Sequence, residues 1–191
     1  MFKKLLVFAA ITVFFLGVQA DKARAADLVT NGGFETGDFT GWTLSNIDPS
    51  NPFIFVDGPG VGHSGDYEAL LAQTGSVATI SQDIATTANQ FYTVSFWLAN
   101  DLGGTNSFQA LWNGIEVKFN LVNSLAFDYN EYSFTGQATG TNTTIAFNFR
   151  NDDSTYHLDD VHASAVPIPG AVWLLGSGLF GLAGLKRKYL G

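Results

Sequence analysis

Apolar and polar residues alternate with period two along most of the middle of this chain. The alternation runs through Phe53–Val56, Tyr67–Ala72, Val77–Ile84, Phe91–Ala99, Ser107–Trp112, Ile115–Asn120, Glu131–Thr135, Thr144–Arg150 and Tyr156–Ala163. Successive side chains of a strand point to opposite faces, so each run predicts a strand with one buried and one solvated side. Gly, Asn, Asp and Ser fill the gaps, and no window carries a sustained helical period. Asn113-Gly114 lies between two of the runs and predicts a two-residue type I′ hairpin, because both residues tolerate the positive φ that this turn requires. Strands this short and this numerous in one domain predict an all-β, two-sheet sandwich of the jelly-roll kind. Its core should take Tyr92, Val94, Phe96 and Leu98 from one run and Ile145, Phe147 and Phe149 from another. Trp42 and Trp112 join it, Trp112 because it alternates with Phe108 and Ala110.

Both ends of the chain depart from this pattern. Met1 to Ala25 carries a basic start (Lys3, Lys4), an apolar run Leu5–Val18 and the small-x-small triplet Ala23-Arg24-Ala25, which together predict a secretory signal peptide. Cleavage is expected after Ala25, with Val18-Gln19-Ala20 as the second site. At the other end, Gly170–Leu185 is apolar and uncharged, interrupted only by small residues. Pro167-x-Pro169 precedes it, and Lys186, Arg187 and Lys188 follow. As a helix the run would cover about 24 Å, somewhat short of a hydrocarbon core of about 30 Å. Local thinning and snorkelling of the flanking cations would make up the shortfall, with Trp173 at one interface and the basic cluster in the cytoplasm. A buried core helix is the alternative, but so many small residues fill a core poorly. Residues 26–165 remain as one domain.

Charge narrows the partners. Residues 26–165 hold 16 acidic side chains against two basic ones, Lys118 and Arg150. Such a surface repels phosphate and argues against any nucleic-acid partner, while inviting divalent cations. The chain has no cysteine, so an exported fold must be held by its core or by a metal rather than by disulfides.

Two resemblances add to this reading. Val166-Pro167-x-Pro169, then Ala171-x-Trp173-Leu174-Leu175-Gly176-Ser177-Gly178-Leu179 and the terminal Lys/Arg cluster, resemble the PEP-CTERM sorting tail of Gram-negative bacteria. That resemblance implies export by the secretion machinery and signal peptidase, an inner-membrane intermediate held by the tail, and removal of the tail by an exosortase. The destination would be the cell surface or extracellular matrix. Ile168 stands where the family most often has Glu, which leaves the sorting-enzyme subtype open. Within the domain, four blocks occur in order: Asn31-Gly32-Gly33-Phe34-Glu35 with Trp42, His63–Tyr67, Ile80–Ile84 and Leu158-Asp159-Asp160-Val161. They resemble the galactose-binding-like jelly rolls, in particular carbohydrate-binding modules that open on "NGGFE" and close on "DDV".

The second resemblance implies a glycan or exopolysaccharide partner and a structural Ca2+. A hard cation takes about six to eight oxygens. Glu35 and Asp159 would supply the carboxylates, and carbonyls of Gly32-Gly33 and the Ser64–Asp66 turn the remainder. Alternatively, Glu35 is a surface acid and Asp159 caps a turn. Strand alternation puts Leu158 and Asp160 on one face and Asp159 and Val161 on the other.

A sugar-binding face follows from the same alternation. Trp97 points away from the core, as do Asn148, Arg150 and Gln109, so these four form the expected ligand set. The ring would stack on sugar C–H groups while the amides bond hydroxyls. The alternative for Trp97 is packing beneath a loop. Signals for catalysis are weak. His63, His157 and His162 lack metal-ligand spacing, and no nucleophile elbow, phosphate loop or dinucleotide fingerprint occurs. The expectation is therefore a non-enzyme: a surface protein whose jelly roll binds glycan, or else a structural matrix component without a ligand site. A carbohydrate-active enzyme would instead show two carboxyls facing each other about 5–9 Å apart in a cleft.

Overall fold

The computed structural model describes residues 26–50, 53–152 and 154–167. The signal segment and the tail from position 168 onward, with Pro169, Lys186, Arg187 and Lys188, lie outside the described residues. Ten strands are present among the described residues: β1 (Thr43–Ser45), β2 (Ile54–Asp57), β3 (Glu68–Leu71), β4 (Ala78–Ala85) and β5 (Phe91–Asn100), followed by β6 (Asn106–Trp112), β7 (Glu116–Val122), β8 (Phe127–Gln137), β9 (Asn142–Asn151) and β10 (Tyr156–Ala165). They form two five-stranded antiparallel sheets, sheet A in the order β1-β4-β9-β6-β7 and sheet B in the order β2-β3-β10-β5-β8. The domain is an all-β jelly-roll sandwich, as the alternation predicts. Nine strands coincide with the alternating runs, some of them longer. β1 is the addition, and its three residues are all exposed, so it has no apolar side to announce it.

The two sheets meet through their apolar faces. Val94, Phe96 and Leu98 of β5 and Ile145, Phe147 and Phe149 of β9 are fully buried, and Trp42 and Trp112 are buried with them. Rings cross between the layers: Phe96 of sheet B meets Phe147 of sheet A at 5.1 Å, and Tyr156 of sheet B meets Phe108 of sheet A at 5.3 Å. Each such side chain contributes about 1.5–3 kcal/mol of burial free energy. The β6–β7 hairpin turns at Asn113 (φ 59°) and Gly114 (φ 72°), the positive values expected there, but Trp112 pairs with Glu116, so the connection takes in Ile115 as well and is three residues long rather than two.

Alternation fails at one place in β10. Asp159 pairs with Trp97 and His162 with Ser95, so Asp160 and Val161 together oppose the single residue Phe96. Asp160 absorbs this bulge at φ 48°. In consequence Leu158 and Val161 both enter the core, where strict alternation had placed them on opposite faces. Both acids of the closing Asp159-Asp160 pair are thereby left to the loop that runs from β2 to β3. The opening segment lies along the same strand, with Leu28 N donating to Ala163 O and Val161 N donating to Gly32 O. Among the described residues no helix is long and apolar enough to cross a membrane.

Candidate functional site

The four residues expected to form a sugar face do not come together. Trp97 lies on β5 and faces outward from sheet B, whereas Gln109 on β6 and Asn148 and Arg150 on β9 face outward from sheet A. The sandwich separates them. On sheet A, Gln109 and Asn148 are direct cross-strand partners in a row that continues to Thr79 and Asn120. Thr79 Oγ1 donates to Asn148 Oδ1 (2.8 Å), and Gln109 Nε2 donates to Asn120 Oδ1 (3.0 Å). Arg150 is held two-pronged by Asp152, whose carboxyl its guanidinium lowers to about 2, with the Gly75 amide assisting. This face is polar and internally bonded. Trp97 is packed beneath the loop between β2 and β3, where the His63 imidazole stacks on it at 3.7 Å and 16°. His63 is fastened there by Nδ1 against Asp160 Oδ2 (2.8 Å).

The outer face of sheet B carries instead an open groove of about 800 Å3 to which all five strands contribute. Asp57 comes from β2, Glu68 from β3, His157 from β10, Ala99 and Asn100 from β5, and Phe127 and Tyr129 from β8. Its floor is one hydrogen-bonded group. Glu68, only 2% exposed, accepts from the Tyr129 hydroxyl on one oxygen and meets His157 Nδ1 at 2.7 Å on the other. The far nitrogen of His157 lies 3.0 Å from Asp101 Oδ1, an ion-pair distance without hydrogen-bond alignment. Burial alone would lower the His157 pKa, but Glu68 and then Asp101 outweigh it and raise it to about 9. Burial and the adjacent Glu68 push the Tyr129 hydroxyl far up, so it stays a donor. Sequence reasoning passed over this group. Tyr129 continues the outward series of Glu131, Ser133 and Thr135 two residues before the run recognised in β8, and Glu68 holds an outward position in its own run.

Glu35 and Asp159 do converge, on the turn before β3. Gly32 lets the opening segment approach, since a Cβ there would meet Val161 O at 1.9 Å. Glu35 accepts the amides of Asp66 (3.0 Å) and Tyr67 (3.1 Å), pressing so close to Gly65 that a Cβ would meet its carboxylate at 2.2 Å. Asp159 is fully buried and accepts the amides of Ser64 (3.1 Å) and Asp160 (2.6 Å). Burial raises it to about 6, against the opposing pull of those amides. Among the described residues it has no salt-bridge partner, and no group of three or more His, Cys, Asp or Glu side chains could hold a metal ion. An all-oxygen shell would thus need these two carboxylates plus carbonyls.

No family model matches the chain. A curated protein, the multifunctional-autoprocessing repeats-in-toxin of Vibrio cholerae, is 27% identical over 153 residues, which cover 78% of this chain and 3% of that protein. The chain therefore spans only a small fraction of that relative's length. Among solved structures, a TmCBM61 module in complex with β-1,4-galactotriose superposes with a TM-score of 0.59 at 17% identity, covering 74% of this chain and all of that one. The CBM22-1–GH10 modules of Clostridium thermocellum xylanase 10B, complexed with xylohexaose, give 0.56 at 17% identity over 75% of this chain and 29% of theirs. The K3 adhesin domain of Lys-gingipain from Porphyromonas gingivalis gives 0.51 at 15% identity, covering 73% and 99%. These likenesses establish a jelly-roll β-sandwich as the fold.

Proposed function

We propose that this sandwich is a non-catalytic glycan-binding domain and that its binding site is the groove across sheet B. The groove itself carries the reading: an open channel of about 800 Å3 crossing a whole sheet, with an aromatic ring and polar side chains on its floor. A sugar chain has alternating C–H faces and hydroxyl edges, and such a channel offers partners for both. Two of the structures of similar fold were solved with bound oligosaccharides, which supports the reading. Glu68 and Asp101 are ill suited to glycoside hydrolysis. The His157 ring fills the space between Glu68 and Asp101, so those carboxyls do not flank a gap that a glycosidic bond could enter. A glycan array probed with the full chain tests the proposal. Tyr129→Ala should weaken binding of any hit about tenfold or more, and Tyr129→Phe, which keeps the ring, should retain most of it. An array without hits would leave a structural matrix protein as the better reading.

The proposal extends to a Ca2+ held by Glu35 and Asp159, with carbonyls of the Gly32-Gly33 and Ser64–Asp66 stretches completing the shell. A buried carboxylate raised toward neutrality and opposed by no cationic side chain supports it, because a cation would restore its charge. A ligand bound only to the native state stabilises it, so chelation should lower the melting temperature and added Ca2+ restore it. Identical melts at matched ionic strength would remove the metal. We infer, finally, that the protein is exported, sorted by an exosortase and displayed at the cell surface or in the matrix, on the strength of the tail motif around Val166, Pro167 and Pro169.

A further inference from the structure

The charge of the groove is one-sided. Four carboxylates line it, those of Asp57, Glu68, Asp101 and Asp128, and among the described residues no Lys or Arg does. The two basic side chains of the domain stand on sheet A and are already paired, Lys118 with Glu116 and Arg150 with Asp152. Among the residues lining the groove the single cation is His157, clasped between Glu68 and Asp101. Glu68 is satisfied by Tyr129 and His157 and lies almost wholly buried, so it serves the floor. The remaining carboxylates stand at the solvent edge. Asp57 is on β2, Asp101 just past the end of β5, and Asp128 on β8 beside Tyr129. Among the described residues, Asp128 has no side-chain ion pair and Asp57 receives only the Gly58 amide (2.9 Å).

A polymer threading this channel passes an aromatic ring bordered by unneutralised negative charge. Uronic-acid or sulfated chains would be repelled along its whole length, and a chain bearing ammonium groups would be drawn in. An ammonium near Tyr129 would gain further from the ring face. We propose that the groove selects glycans carrying free amines, such as partly or fully deacetylated amino-sugar polymers, and rejects anionic ones. This rests on the glycan-binding reading above and specifies the ligand class of the same site.

The probes are a β-1,4-linked glucosamine hexamer, its fully N-acetylated counterpart and an oligogalacturonate, titrated against the full chain in buffer that keeps the amines protonated. The glucosamine hexamer should bind about tenfold more tightly than the acetylated one, because exposed ion pairs contribute a few-fold each and several act together. Added salt should erase most of the difference, and the galacturonate should not bind. Asp57→Asn with Asp128→Asn should abolish the preference. The amides keep the shape, and the carboxamide oxygen at position 57 can still accept from the Gly58 amide. Glu116→Gln, an acid removed from the opposite sheet, should leave the preference intact. Equal binding of the two hexamers, tighter galacturonate binding or a preference untouched by the groove variants would overturn the selectivity while the glycan reading stood. Binding of none of the three, together with an empty array, would overturn both.

Discussion

His157 shows how a residue's environment overrides its type. Contacts with two carboxylates turn an ordinary strand histidine into a cation held between acids, with its pKa raised to about 9 from the usual 6.5. A folded-state value above the unfolded one means the stabilisation is complete below about pH 6.5 and is lost as the pH rises through about 9. The melting temperature of the protein should therefore fall across that window, and His157→Gln should flatten the fall. A variant with the same pH profile as the original would show that the clasp contributes nothing. At Asp160 the effect is geometric. One left-handed residue, bonded through its side chain to His63 and Ser64, shifts the pattern so that Val161 packs inside.

Among the elements, β8 depends on a glycine for its fit against β6. The Trp112 ring lies over Gly136, where a Cβ would meet ring atoms at 2.4–2.6 Å. The ring has little freedom to withdraw. Its Nε1 donates to Gln137 O at 2.9 Å, and its face stacks on Tyr92 at 6.0 Å. Gly136→Ala should cost about 1–3 kcal/mol, the usual range for forcing extra volume into a packed core, read as a lower denaturant midpoint. An unchanged midpoint would mean the two sheets slide apart more easily than their shared rings suggest.

For the whole molecule, the proposed sorting of the chain turns on where the sandwich ends. β10 finishes at Ala165, and Val166 is still fastened, its amide donating to Phe91 O (2.8 Å) and its carbonyl accepting from Gln90 (2.7 Å). Pro167 is the first exposed residue past that clasp. A processing enzyme would thus meet its motif immediately outside the folded domain. If the tail is the sorting signal proposed above, mass measurement of the mature protein should find the C-terminus cut near Pro167-x-Pro169, and substitution of both prolines by Ala should leave the uncut precursor. A surface form intact to Gly191 would make the tail a permanent anchor.

Alternation by itself determined the all-β class, nearly every strand, the Asn113-Gly114 hairpin and the buried sets of β5 and β9. These are local properties: period two and a turn dipeptide are set by neighbours in the chain. The resemblance of the opening and closing blocks, in turn, paired Glu35 of the opening turn with Asp159 of the last strand. Alternation could say that Trp97, Gln109, Asn148 and Arg150 point outward, but not from which sheet. Strand order is a matter of pairing between distant segments, and it puts β5 in one layer and β6 and β9 in the other. Only the tertiary structure could cover Trp97 with His63, a contact between residues 34 positions apart, or assemble Tyr129, Glu68 and His157 from three strands into one groove floor. Side-chain direction is encoded within a strand, whereas the company a side chain keeps depends on which strands lie beside it.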